Sequence, residues 1–406
     1  MVAFFCLFAV STVVAATMFP YKPINGTNSS VYYVSGDADK FTPSSFVASK
    51  YTPSNYSAAF SVSTYIPSKT VAFYKILSPS KYIPTNPHSW NPSQYPSIIP
   101  TTPTPTTTPA PGGTPPAGGG TTAPNVSSIK QKWLDVPYAT RSSAEKLDIY
   151  LPNEGNGPFP VIVSIHGGAF MMGDKADGQL TPMLQGLDRG YAVVSINYRL
   201  SSEATFPAQI NDVKAAIRFL RAHAAEYKLN PDKIAVWGGS AGGNLAALAG
   251  TSGDVTSLED MGLGNSGQSS RVQAVVDWFG PINFSSMDEQ FTASGIGPAN
   301  HNAADSPESK MLGKALTADP DLVRKANPET YITTDDPAFF IQHGTADSNV
   351  PTEQSIDFAA KLVKVLGSEK VKLELLQGAA HGDPMFTTTE NVNKVLDFLD
   401  KTLKNN

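Results

Sequence analysis

From about residue 129 onward the chain alternates short apolar runs with longer amphipathic stretches. Val161-Ile-Val-Ser-Ile165, Tyr191-Ala-Val-Val-Ser-Ile196, Lys233-Ile-Ala-Val-Trp237, Val272-Gln-Ala-Val-Val276, Ala338-Phe-Phe-Ile341 and Val371-Lys-Leu-Glu-Leu-Leu376 each read as a strand. The continuous runs at 161–165 and 191–196 suit strands covered on both faces. Leu147-Asp-Ile-Tyr-Leu151 alternates instead, as a half-buried strand does. A helix-length segment surrounds Met183, Leu184 and Leu187, and Phe206 to Leu229 spaces Ile210, Val213, Ile217 and Leu220 along one helical stripe. A closing helix carries Val392, Val395, Leu396, Phe398, Leu399 and Leu403. Strands alternating with helices predict an α/β fold, a mostly parallel twisted sheet with helices on both faces. The rhythm lapses between Gly280 and Asp336, where Met287, Phe291, Met311, Leu312 and Leu322 lie scattered among Ser, Asp, Pro and Asn. An excursion between two late strands predicts a small cap over their carboxyl ends.

Upstream the pattern is different. Residues 1–16 are apolar and uncharged and end in Val14, Ala15 and Ala16, which predicts a signal peptide and secretion, although no positive n-region precedes it. An uncleaved anchor or a misplaced start is the alternative. Residues 17–91 are rich in Ser, Tyr and Pro, with irregular echoes such as Tyr51-Thr-Pro53 and Tyr65-Ile-Pro67. Aromatic residues there could stack on sugar rings, making a carbohydrate contact. Prolines that interrupt strands, and the lack of cysteines, favour a poorly ordered stalk. Residues 92–128 form a Pro/Thr/Gly linker, and no charged residue occurs between Lys81 and Lys130. Residues 129–406 are then one catalytic domain.

Composition narrows the function classes. A net charge of -5 with pI near 5.7 and no basic stripe speaks against a nucleic-acid partner. The one cysteine, Cys6, falls in the leader, so a mature chain has no disulfide framework or cysteine metal site. Asn25, Asn28, Asn55, Asn125 and Asn283 stand in N-x-Ser/Thr sequons, which predicts a glycoprotein in a eukaryotic source.

The chemistry centres on Gly238-Gly-Ser240-Ala-Gly242, set between the strand ending at Trp237 and the small-residue helix from Asn244. A serine on so sharp a strand-to-helix bend is a nucleophile elbow, with glycines two residues away on each side to clear the turn. A serine hydroxyl needs a base and a group orienting that base. Sites in parallel sheets gather at strand carboxyl ends, which screens the histidines. His88 is in the stalk, His223 is inside a helix and His301 is in the cap; His166 and His343 each precede a glycine and shape loops. His381, after the last strand, is the expected base. Asp347, after Ala338-Phe-Phe-Ile341, is the expected acid; its rival, Asp277, runs straight into Trp278-Phe-Gly280. The order Ser240, Asp347, His381 is that of α/β hydrolases. His166-Gly-Gly-Ala-Phe170 follows a strand where an oxyanion loop is required, so Gly167, Gly168 and Ala241 are the expected N–H donors.

From about Val136 to Leu403 the chain resembles the esterase-lipase branch of α/β hydrolases, and most nearly the bacterial feruloyl-esterase-like (BD-FAE) carboxylesterases. The resemblance rests on His166-Gly-Gly-Ala-Phe170, Ser195-Ile-Asn-Tyr-Arg-Leu200, Phe206-Pro-Ala-Gln-Ile-Asn-Asp212, Gly238-Gly-Ser-Ala-Gly-Gly243, Val276-Asp-Trp-Phe-Gly-Pro281, Ser306-Pro-Glu-Ser309, His343-Gly-Thr-Ala-Asp347 and His381-Gly382. It implies a Ser240/Asp347/His381 triad, an oxyanion hole of Gly167, Gly168 and Ala241, no cofactor, and an Arg199–Asp212 ion pair holding helix to sheet. Ala169 and Gly239 depart from the His-Gly-Gly-Gly and Gly-Asp-Ser-Ala-Gly of hormone-sensitive-lipase members. The expected function is a secreted carboxylesterase acting on small or polysaccharide-linked esters, such as feruloyl or acetyl groups of plant cell walls. A prolyl-oligopeptidase-like peptidase, a long-chain lipase and a non-catalytic adhesion protein are the rivals. Acyl preference and oligomeric state are not legible.

Overall fold

The structure, a computed structural model, describes residues 122–404, so the predicted signal peptide, the 17–91 segment and residues 92–121 of the linker lie outside the described residues. Eight strands form one sheet: β1 (Lys132–Pro137), β2 (Lys146–Tyr150), β3 (Phe159–Ile165), β4 (Ala192–Ile196), β5 (Leu229–Gly239), β6 (Ala274–Trp278), β7 (Ala338–Gly344) and β8 (Val371–Leu376). Their order is β1-β2-β4-β3-β5-β6-β7-β8, with β2 antiparallel to both neighbours and every other pair parallel. This is the expected α/β-hydrolase sheet. The register aligns the carboxyl ends that matter: Ile165 pairs with Gly238, Gly239 with Trp278, and Trp278 with Gln342. Loops leaving β3, β5, β6 and β7 therefore start at one level.

Seven helices cover the sheet or its edge: α1 (Ala208–Ala222), α2 (Ala241–Thr251), α3 (Met287–Ser294), α4 (Pro307–Leu312), α5 (Pro320–Ala326), α6 (Glu353–Leu366) and α7 (Thr389–Leu403). Successive strand residues feed opposite cores, as period-two geometry requires. Val163 and Phe339 join Ile217, Leu245 and Phe358 on one face; Ile162 and Phe340 join Trp237, Val395 and Leu399 on the other. Burying each such side chain contributes roughly 1.5–3 kcal/mol. The two-sided coverage explains the unbroken apolar runs.

Three elements differ from the sequence reading. The segment around Met183 is not one helix but three short turns, Gly178–Leu180, Thr181–Leu184 and Gln185–Arg189. Its buried residues are Leu180, Pro182, Met183 and Gly186, with 3₁₀ turns flanking a single α-helical turn. Strand β1 was unread because its alternation is broken by an irregularity between Trp133 and Val136, where Asp135 has a φ of 56°. Helix α6 was unread although Phe358, Ala359 and Leu362 line one buried face; only its first turn, which buries polar Gln354 and Ser355, departs from an apolar stripe.

The excursion between β6 and β7 holds α3, α4 and α5, and it packs on the loops at the sheet's carboxyl edge. Phe284 meets Phe170 with ring centroids 6.2 Å apart, and Gln354 of α6 accepts from the Asn283 N–H at 2.6 Å. The Asn283 amide donates to Glu329 at 2.9 Å, so this sequon is occupied by an internal contact, whereas Asn125 is exposed. Arg199 and Asp212 form the anticipated pair: Nη2 to Oδ1 is 2.6 Å and Nε to Oδ2 is 2.9 Å, with Asp212 fully buried. Removing Asp212 takes away the bidentate partner and leaves the Arg199 guanidinium only the more distant buried carboxylate of Glu145, at 3.6 Å. Asp212→Ala is therefore expected to destabilise the domain by about 3–5 kcal/mol. Urea unfolding with an unchanged denaturant slope would register this as a lower midpoint; an unchanged midpoint would contradict it.

Candidate active site

Ser240 stands where β5 turns into α2. Its φ of 57° and ψ of -124° are left-handed and strained for a residue with a side chain. Two close approaches hold it there. A Cβ on Gly238 would strike the Gly242 carbonyl, and a Cβ on Gly242 would strike the Ile165 carbonyl of β3. With both positions bare, the first turn of α2 seats against the sheet. The Ser240 N–H donates to Trp278 O at 2.9 Å, tying the elbow to β6.

The structure brings Ser240, His381 and Asp347 into one hydrogen-bonded line. Ser240 Oγ lies 2.9 Å from His381 Nε2, and His381 Nδ1 lies 2.7 Å from Asp347 Oδ2. Asp347 is buried, and its other oxygen accepts from the N–H groups of Asn349 and Val350 at 2.8 and 2.9 Å. Burial works against its ionisation, but the ring N–H groups of His343 and His381 outweigh it and hold the carboxyl well below the usual range. The Phe279 ring flanks His381 in an edge-to-face arrangement, with the two ring centroids 4.7 Å apart.

Asp277 is outside this line. It is fully buried at the end of β6, where Oδ1 accepts from the Gly280 N–H at 2.9 Å and Oδ2 has no partner among the described residues. His166 stacks on Tyr198 at 4.3 Å and bonds Gly167 O, shaping its loop. His223 caps α1 and stacks on Phe219. His301 pairs with Glu308 inside the cap.

One expected donor is corrected. The Gly167 N–H is not available to a substrate oxygen, because it donates to Gln179 Oε1 at 2.8 Å. The N–H groups of Gly168, Ala169 and Ala241 have no acceptor among the described residues. Gly168, Ala169 and Phe170 have φ values of 113°, 57° and 60°, so the loop is held in a tight left-handed path. Gln179 was missed by sequence reasoning; it lies in the unread 3₁₀ turn, and no local pattern links it to Gly167. His343 was read as a loop residue, but its Nε2 lies 3.2 Å from Asp347 Oδ2. The four-residue spacing of His343-Gly-Thr-Ala-Asp347 was its only signal.

A serine bonded to an imidazole that is oriented by a carboxylate, with unpaired N–H donors nearby, can carry out nucleophilic acyl transfer. Among the described residues no group of three or more His, Cys, Asp or Glu side chains is arranged to hold a metal ion.

Comparison with known proteins adds the following. A family profile, BD-FAE, matches residues 147–362. The chain is 33% identical over 244 residues to the probable carboxylic ester hydrolase LipM of Mycobacterium tuberculosis, covering 59% of this chain and 54% of that protein. A solved truncated form of a carbohydrate esterase from gut microbiota is 34% identical with a TM-score of 0.63, covering 69% of this chain and 99% of that one. A bifunctional GH43-CE protein of Bacteroides eggerthii is 39% identical with a TM-score of 0.60, covering 67% of this chain and 35% of that one. The chain thus spans about half the length of the curated relative, at 54%.

Asp277 generates a pH prediction. Burial pushes its carboxyl up from 3.8 to about 6. Between those values the folded protein keeps a proton that the unfolded chain releases. The contribution of this group to stability is therefore full at acid pH and is lost as pH rises towards 6. Relative to wild type, Asp277→Asn should gain up to about 3 kcal/mol between pH ~4 and pH ~7. Urea unfolding of both proteins across that range checks it, and a difference independent of pH would contradict it.

Proposed function

The chain belongs to the BD-FAE family of α/β hydrolases, and from that premise we propose that it is a secreted serine carboxylesterase working through an acyl-enzyme on Ser240. The observation that carries the reading is the 2.9 Å contact between Ser240 Oγ and His381 Nε2, with Asp347 behind it at 2.7 Å. In the first half-reaction His381 takes the hydroxyl proton as Oγ bonds to the ester carbonyl carbon. Asp347 stabilises the resulting imidazolium and keeps the ring in line. The carbonyl oxygen gains the negative charge and is met by the N–H groups of Gly168, Ala169 and Ala241, each worth about 3–4 kcal/mol in such a position. His381 then returns its proton to the leaving alkoxide as the ester C–O bond breaks. In the second half, water gives a proton to His381 as its oxygen bonds to the acyl carbon, and His381 passes that proton to Ser240 Oγ as the acyl C–Oγ bond breaks, freeing the acid and restoring Ser240.

The substrate class we propose is an acyl group carried on a polysaccharide, feruloyl or acetyl esters of plant cell walls. The carbohydrate esterases among the structural neighbours support this. Secretion is supported by the apolar residues 1–16 and by the uncharged Pro/Thr/Gly run that follows the Ser/Tyr/Pro-rich segment. That segment would hold the catalytic domain near its polymer.

The test is hydrolysis of p-nitrophenyl acetate, butyrate and decanoate, methyl ferulate and acetylated xylan, with Ser240→Ala as control. Turnover of short esters, ferulate or xylan acetate is expected, and the variant should lose at least about 10⁴-fold in kcat. Activity confined to decanoate would replace the reading with a lipase. A folded protein inactive on every ester but active on peptides would replace it with a peptidase.

A further inference from the structure

The acid end of the site contains a second histidine for which the mechanism above has no use. His343, the penultimate residue of β7, is fully buried. Its Nε2 faces two acceptors, Val350 O at 3.1 Å and Asp347 Oδ2 at 3.2 Å. Its Nδ1 lies 2.7 Å from Ser355 Oγ in the first turn of α6. Ser355 is fully buried and its hydroxyl has no other partner among the described residues. A buried hydroxyl hydrogen without an acceptor costs free energy, so it is directed onto Nδ1. That leaves the ring's single hydrogen on Nε2, where the two acceptors require it. The pattern fits a neutral ring in one tautomer. A second imidazolium would compete with His381 for the same carboxylate, and the opposite tautomer would aim a lone pair at two oxygens.

Oδ2 of Asp347 is therefore shared. His381 Nδ1 donates to it from one side at 2.7 Å, and His343 Nε2, hydrogen-bonded to Val350 O at 3.1 Å, approaches it from the other at 3.2 Å. Polar contacts run from both ends towards one atom, Ser355 to His343 to Asp347 and Ser240 to His381 to Asp347. We propose that His343, its tautomer set by Ser355, is a positioning residue for the triad, holding the Asp347 oxygen that orients His381 and limiting how tightly that oxygen favours the charged imidazole. This rests on the acyl-enzyme reading of Ser240. The other titratable groups that bear on the pair are Asp277 at the end of β6 and, across the acid loop, His301 of the cap, which reaches the Asn349 carbonyl.

The role has a sign. Taking away the His343 donor leaves Asp347 Oδ2 with more charge for His381, so the imidazolium is favoured in the resting enzyme and the acidic limb of the kcat/KM profile moves to higher pH. The free carboxylate also loses a fixed point, so kcat falls while substrate binding is spared. His343→Phe keeps a ring without a donor; His343→Gln keeps a distal N–H; Ser355→Ala removes only the group that sets the tautomer. For His343→Phe we expect kcat lower by about ten- to a hundredfold, KM little changed, and the limb higher by about half a pH unit. His343→Gln should return the limb to its wild-type position, and Ser355→Ala should move kcat and the limb in the same directions by less.

Esterase activity of wild type and its loss in Ser240→Ala are measured first, and failure there overturns the acyl-enzyme reading itself. Given a Ser240-dependent wild type, two results overturn the role of His343 alone. One is a folded Ser355→Ala whose kcat and limb coincide with wild type. The other is equal loss in His343→Phe and His343→Gln with an unmoved limb, which is what simple destabilisation produces. Should His343→Phe fail to fold, Ser355→Ala and His343→Gln decide the matter.

Discussion

Ser240 can occupy its left-handed conformation only because two neighbours have no Cβ. Gly238 lies against the Gly242 carbonyl, and Gly242 lies against the Ile165 carbonyl of β3. A side chain at either would lift the first turn of α2 away from the sheet. The elbow would then lose its tie to Trp278 O, and Ser240 Oγ would lose its 2.9 Å contact with His381. Strain of this kind costs on the order of 1–3 kcal/mol per residue and persists where the surroundings over-determine it. Here the surroundings are the buried carboxyl ends of the central strands β3, β5 and β6. Ala169, Phe170 and Phe279 have the same left-handed backbone. All three lie on loops that leave β3 or β6, whereas Asp135, Lys228 and Asn265 have positive φ elsewhere in the fold.

The second organising force is electrostatic. A buried carboxylate is costly unless its lone pairs are met. Asp347 meets that requirement with two backbone N–H groups on one oxygen and two imidazoles on the other. Asp277, one strand away and equally buried, has a single backbone donor and is pushed up to about 6. The contrast between two carboxyls at adjacent strand ends is a difference in donor count. It separates an ionised orienting group from one that is easily neutralised.

Much of this was legible before any coordinates. The strand runs were readable because apolar residues dominate them, nearly without a break at 161–165 and 191–196 and in alternation at 371–376, and the elbow was readable because Gly-x-Ser-x-Gly lies between a strand signal and a helix signal. His381 and Asp347 were reachable through one topological rule, that sites gather at strand carboxyl ends. What escaped depends on contacts between distant residues. Gln179 lies in a 3₁₀ turn whose spacing imitates a helix, and its bond to the Gly167 N–H spans twelve residues. Ser355 and Gln354 are polar residues on the buried face of α6, beside Phe358, Ala359 and Leu362, and polarity alone reads them as exposed. Backbone N–H availability, which moves the expected donor from Gly167 to Ala169, has no sequence signature.

The central claim is that Ser240 forms a covalent bond during turnover. Diethyl p-nitrophenyl phosphate, an ester-like phosphoryl donor, tests it most directly. After incubation and proteolysis, peptide mass spectrometry should find one diethylphosphoryl group per chain, on Ser240, with labelling and inactivation advancing together and both much slower in His381→Ala. Complete inactivation with the label on another residue, or an active enzyme that never acquires label at Ser240, would contradict the account.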